Sequence, residues 1–80
     1  MNHWQQIENM AKQVRKWTRF DSQDPSTFPP VGQFLYITEY SGSISYDIGN
    51  RVSGESDDDF GYLYFEKYMT HWAPYPTQAK

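Results

Sequence analysis

The sequence predicts an α+β fold: an N-terminal helix packed on a small antiparallel sheet of three or four strands. Three observations predict it. Apolar residues recur at helical spacing only near the N-terminus, at Trp4, Ile7, Ala11 and Val14. Beyond Gly32 they run in short aromatic and β-branched stretches, parted by Gly, Ser and acidic clusters. Between the two regions lies a stretch rich in Asp, Ser and Pro.

Eighty residues give room for one domain, spanning 1–80. A chain this small buries only ~60% of the surface its unfolded form exposes, and disulfides or a metal usually reinforce such chains. With no cysteine, a disulfide framework and a thiolate zinc site are both excluded. Cohesion must come from three Trp, seven Tyr and five Phe, each able to bury ~150–250 Å². The absence of Cys fits a reducing compartment. No apolar run approaches the ~20 residues of a membrane span, and the opening residues lack the basic start and apolar core of a signal peptide. A cytoplasmic protein without membrane contact is the expectation.

The first element is a helix from residue 2 to about 17, within a helical arm 1–19. It contains no Gly or Pro, and Asn2 with Gln5 resembles a capping box. Its core stripe is Trp4, Ile7 and Val14, with Trp17 at its end. Lys12, Arg15, Lys16 and Arg19 crowd the last turns, where the helix dipole favours cations. The simpler reading of the stripe is docking on the sheet. The sharper one offers the stripe and the basic patch to a partner, which a second copy of the chain would satisfy.

Residues 20–32 read as a Pro-rich linker, since Asp24-Pro25 and Phe28-Pro29-Pro30 hold the preceding residues extended. Residues 33–76 form the sheet. The first strand, 33–40, is apolar on both faces, with Leu35 and Ile37 opposite Phe34 and Tyr36, as a central strand would be. Ser41-Gly42 makes a two-residue hairpin loop. Strand two, 43–48, alternates cleanly, with Ile44, Tyr46 and Ile48 inward. Residues 49–59 form a solvated acidic loop. Strands three (60–66) and four (68–72) place Leu63, Phe65 and Trp72 in the core, and Pro74 and Pro76 end the ladder.

Charge is divided along the chain. Residues 1–20 hold four cations against one carboxylate, a balance of +3; residues 21–80 hold three against nine, −6. An acidic body repels phosphate. The sheet also lacks the Lys or Arg between rings that base stacking favours, so nucleic acid is not the expected ligand. The basic patch alone would give only weak, salt-sensitive DNA binding.

His71 is the one histidine in an informative setting. No nucleophile neighbours it, and only His3 could join it at a metal that needs three or four ligands. Its expected role is structural. Glu55-Ser56-Asp57-Asp58-Asp59 lacks the spacing of a calcium loop. It reads first as a solubilising segment and second as an acidic contact surface with Asp47 and Glu66. No phosphate loop, metalloprotease motif or nucleophile elbow is present. No enzyme, cofactor or metal is expected.

Trp17, Phe28-Pro29, Gly32, Phe34-Leu35-Tyr36-Ile37 and the close Thr70-His71-Trp72-Ala73-Pro74-Tyr75-Pro76 together resemble a small family of phage and prophage domains of unknown function. That family opens on a tryptophan, runs through Leu-Pro and a glycine into an aliphatic strand, and closes on T-H-W-M-P-L-P. The match covers about residues 17–76. It departs at Phe28, Ala73 and Tyr75, and the N-terminal helix is an addition. The resemblance implies a mobile-element origin and a small α+β domain; it implies no activity.

The function expected from these readings is binding to a host protein. Inhibition of a defence or nucleic-acid-processing complex, in the manner of an anti-CRISPR or a DNA mimic, would use Asp47, Glu55, Asp57, Asp58, Asp59 and Glu66. The alternative is a self-associating assembly module of a mobile element.

Overall fold

The computed structural model describes residues 3–76. The order along the chain is α1 (His3–Lys12), β1 (Thr18–Arg19), a 3₁₀ turn (Pro25–Thr27), β2 (Gly32–Tyr40), β3 (Ser43–Arg51), α2 (Asp57–Glu66) and β4 (Met69–Pro74). The four strands form one antiparallel sheet in the order β1-β4-β2-β3. The α+β class and the N-terminal helix are as the sequence predicts, with a second helix added.

Helix α1 ends at Lys12, well before the expected residue 17; its expected cap, Asn2, lies outside the described residues. Tertiary contacts override helix propensity here. Gln13 and Val14 close the last turn onto the carbonyls of Met10 and Ala11. The chain then turns away so that Trp17 stacks on Tyr46, centroids 6.2 Å apart. Thr18 and Arg19 pair with Trp72 and His71 of β4. Arg15, Lys16 and Arg19 are therefore not helical residues.

Residues 20–32, expected as a Pro-rich linker, contribute to the core. Phe20, Phe28 and Pro29 are buried, and the 3₁₀ turn between them is tightly closed. Asp24 caps it, accepting from the Ser26 amide at 3.1 Å and the Ser26 hydroxyl at 2.8 Å. Proline stands at the first turn position, where a missing N–H costs nothing.

The hairpin β2–β3 turns at Ser41-Gly42, both with positive φ (52° and 84°), the primed turn that matches strand twist. β3 continues to Arg51, three residues past the expected end, and β2 is the inner strand between β3 and β4. Ile44, expected inward, is 62% exposed near the hairpin tip. A Cβ on Gly49 would stand 2.5 Å from the Phe34 ring and 2.8 Å from the Tyr64 hydroxyl. Its absence lets both rings close over the sheet.

Residues 60–66, expected as a strand, are helical. Ser56 caps α2, accepting from the Asp59 amide at 3.1 Å, and the Phe60 amide bonds to the Ser56 carbonyl. Asp57, Asp58 and Asp59 fill the first turn, where the dipole favours carboxylates. Helical rotation buries Phe60, Gly61 and Tyr64 together. It turns Leu63 and Phe65, both expected in the core, outward to 42% and 62% exposure. Tyr68 ends the helix with φ of 58°, its amide bonding to the Phe65 carbonyl, and the chain re-enters the sheet as β4.

Two helices thus cover two faces. Phe60 and Tyr64 of α2 pack on Phe34 and Tyr36, joined by Phe20, Phe28, Met69 and the flank of Trp72. On the other face α1 rests against β3, burying Ile7 and Ala11 where Leu35 and Ala73 are also buried. Trp4, expected in the core, is 60% exposed. It lies one turn before Ile7 and overhangs β3 beside Ile44 and Tyr46. Val14, Trp17, Ile37 and Trp72 are half-buried.

Candidate functional site

The terminal motif serves as fastening. Trp72 donates its indole N–H to the Thr27 carbonyl at 2.6 Å, tying β4 to the 3₁₀ turn. Thr70 donates its hydroxyl to the Ile37 carbonyl at 3.3 Å, across the β2 bulge at Ile37–Thr38. His71 Nδ1 lies 3.0 Å from Thr70 Oγ1. Which of the two groups donates is set by the imidazole tautomer. Among the described residues no group of three or more His, Cys, Asp or Glu side chains could hold a metal ion.

The six carboxylates predicted to act together fall into two groups. Asp47 and Glu55 stand near Tyr36 and Tyr64 at the β3 side of α2. Asp47 accepts from the Ile48 amide at 2.7 Å, and the Asn50 amide donates to the Tyr64 hydroxyl at 3.3 Å. These contacts satisfy part of the β3 backbone and blunt strand addition along it. Glu55 Oε1 is buried without a hydrogen-bond partner. Burial, with Asp47 and Tyr64 nearby, pushes the Tyr36 phenol up to about 12. Burial chiefly, then Glu55 and Asp47, also raises Tyr64, against a lowering by the Asn50 amide. Both phenols stay protonated at neutral pH, so neither ring is a phenolate there.

The second group lies along α2. Asp57 pairs with Arg51 at 2.6 Å, the one salt bridge among the described residues. Arg51 also donates to the Pro29 carbonyl at 3.0 Å. Its guanidinium stands 4.8 Å from the Phe60 centroid and 5.5 Å from that of Phe28. Asp58 and Glu66 are exposed and share a helix face with Tyr62 and Phe65, since Tyr62 is four residues from Asp58, three from Phe65 and four from Glu66. Tyr62 and Phe65 are 69% and 62% exposed. A hydrogen bond to the Glu66 carboxylate raises the Tyr62 phenol. Between this face and the 3₁₀ turn runs an open groove of about 580 Å³. Asp59, in the first turn of α2, is exposed and does not line the groove.

The basic residues Lys12, Arg15, Lys16 and Arg19 are exposed on the last turn of α1, the connector and β1. They are not paired with the acids of α2. Arg51, Tyr62 and the exposure of Phe65 are the features sequence reasoning missed. The available signal was Ser56-Asp57-Asp58-Asp59, a capping residue followed by acids. Read as a helix start, it sets Asp58, Tyr62 and Glu66 on one side.

Family models, curated proteins and solved structures were compared with the chain, and none matches. Among the described residues no helix is long and apolar enough to cross a membrane.

Proposed function

We propose that this protein acts by binding, without catalysis of its own, and that the outer face of α2 contacts a basic surface on a protein partner. The observation behind the reading is the stripe Asp58, Tyr62, Phe65 and Glu66. Two large rings stand in water between Asp58 and Glu66, which form no salt bridge with a cation among the described residues. Aromatic centres with charged rims are what protein interfaces favour. The resemblance to phage and prophage domains supports a host protein as that partner. A defence or nucleic-acid-processing complex with a basic groove is the class an acidic face would inhibit. This narrows the acidic surface of the sequence reading from six residues to the α2 group.

A photo-crosslinking residue at position 65, with a control at exposed Val31, tests this in host cells. A salt-sensitive crosslink to a host protein from 65 and not from 31 is expected. No crosslink from 65, or equal crosslinks from both, overturns it.

Self-association is the second reading, favoured by unpaired basic residues on α1 and β1 and unpaired acids on α2 of the same chain. It would appear as a crosslink from 65 to a second copy.

A further inference from the structure

We infer that the groove between α2 and the 3₁₀ turn recognises arginine, taking a guanidinium presented by a basic segment of the partner protein. The inference rests on the acidic-aromatic face proposed above and names what that face reads.

The groove is built by close approach. A Cβ on Gly61 would stand 2.9 Å from the Ser22 carbonyl oxygen and 3.2 Å from the Phe28 ring. Glycine inside a helix costs about 1 kcal/mol relative to alanine, yet here it lets α2 settle against the 22–28 segment. Phe28 and Pro25 then form one wall, Tyr62 and Phe65 the other, with Asp58 and Glu66 at its two ends. No Lys or Arg is among the lining residues.

The protein already shows what this combination holds. Arg51 lies against Phe28 and Phe60, with its guanidinium on the Asp57 carboxylate. Phe28 and Asp57 also line the groove, so the same ring and the same acid serve both places. Asp58 and Tyr62 extend the arrangement along the helix.

A planar guanidinium suits such a slot better than an ammonium. It stacks on rings, forks onto carboxylates and is weakly hydrated, whereas lysine is a compact, strongly hydrated point charge. The helix dipole sets its place. At the N-terminus of α2 the dipole opposes a cation, and Asp57 there is already taken by Arg51. The last turn carries no basic residue, and the C-cap Lys67 holds its ammonium over the Tyr64 ring and does not line the groove, so a guanidinium between Tyr62, Phe65 and Glu66 meets both the carboxylate and the negative end of the dipole.

The probe is a nine-residue peptide of alternating Gly and Arg, compared with versions carrying Lys or citrulline, titrated into isotopically labelled protein by NMR. We expect the Arg peptide to shift the signals of Gly61, Tyr62, Phe65 and Glu66. It should bind about five- to tenfold tighter than the Lys peptide, with no binding of citrulline. Asp58→Asn with Glu66→Gln, both exposed positions, should weaken it at least as much while the remaining spectrum stays folded. Equal binding of Lys and Arg, or shifts centred on Asp47 and Glu55, overturns arginine recognition in this groove and leaves the protein-binding reading standing. Groove signals that broaden with protein concentration alone identify a second copy as the occupant and overturn the partner. If neither peptide moves a signal, the groove inference falls; if the crosslink from position 65 is also absent, the α2 face falls with it.

Discussion

The face of the sheet under α2 and the face under α1 bury different side chains. Under α2, Phe20, Phe28, Phe34, Tyr36, Phe60 and Tyr64 meet at centroid separations of 4.6–6.2 Å. Under α1, the buried residues are the smaller Ile7, Ala11, Leu35 and Ala73. Rings bury more area per residue and add edge-to-face attraction, so the α2 face carries most of the cohesion that disulfides or a metal supply elsewhere. The lesson is about position as well as amount. The aromatic face welds α2, the 3₁₀ turn, β2 and β4 into one unit, whereas α1 is attached by one short stripe. The proposed binding surface lies on the outer side of the aromatic half.

The largest expected effect breaks that comparison directly. Phe60 is fully buried and contacts four other rings. Phe60→Ala should cost about 3–5 kcal/mol, comparable with the whole ~4–12 kcal/mol margin of a domain this size at ~0.05–0.15 kcal/mol per residue. Ile7→Ala should cost about 2 kcal/mol, the low end for such a deletion, because a terminal helix can shift to close the gap. Urea unfolding measures both. Hydrogen exchange should then show Ile7→Ala speeding amides of α1 alone and Phe60→Ala speeding them throughout α2, β2 and β4. Equal losses, or global speeding in both variants, would mean the two faces are one cooperative unit.

The same asymmetry explains what was legible in the sequence. The start of α1 with Ile7 and Ala11 inward, the β2–β3 hairpin and the Ser41-Gly42 turn each carry a local signal, and each stands where that signal points. Phe60-Gly61-Tyr62-Leu63-Tyr64-Phe65 does not. Alternating aromatics read as a strand by propensity, but the cap at Ser56 and the acids after it start a helix. Tertiary ring packing then buries Phe60 with Tyr64, four apart, and not Phe65. Trp4 misled for a related reason: a helical stripe says which side faces the sheet, not how far the sheet extends beneath it. The acidic segment was legible as charge. Its division, with Asp57 on Arg51 and Asp58 and Glu66 facing outward, depends on contacts between Arg51 and α2 that no local pattern encodes.

A middle-sized effect sharpens the comparison through pH. Tyr36 is held neutral by burial to about 12, against an ordinary 10.0, and Tyr64 is raised for the same chief reason. A raised phenol means the folded protein keeps a proton that the unfolded chain releases. The stabilisation is complete below pH 10 and is lost as pH climbs towards 12. Urea midpoints at pH 9 and 11.5 should fall together with tyrosine ionisation, and Tyr36→Phe should shrink the drop. If Tyr36→Phe loses stability as steeply between those values, the alkaline sensitivity lies elsewhere.

The smallest effect concerns the start of α2. Ser56→Ala removes the acceptor of the Asp59 amide and should cost about 1 kcal/mol, or ~4–8 °C in melting temperature for a domain of this length. Ser56→Asp should restore most of it, since a carboxylate caps the same amide and favours the same dipole. The substitution also separates the two roles of the neighbouring acids. If they serve only to start the helix, Ser56→Ala and Asp58→Asn should lower melting alike, and neither should change binding of the arginine peptide once the protein is folded. If Asp58 reads a partner, Asp58→Asn should weaken binding with little change in melting, and Ser56→Ala should do the reverse. That crossed pattern ties the cap to the fold and the outward carboxylate to recognition.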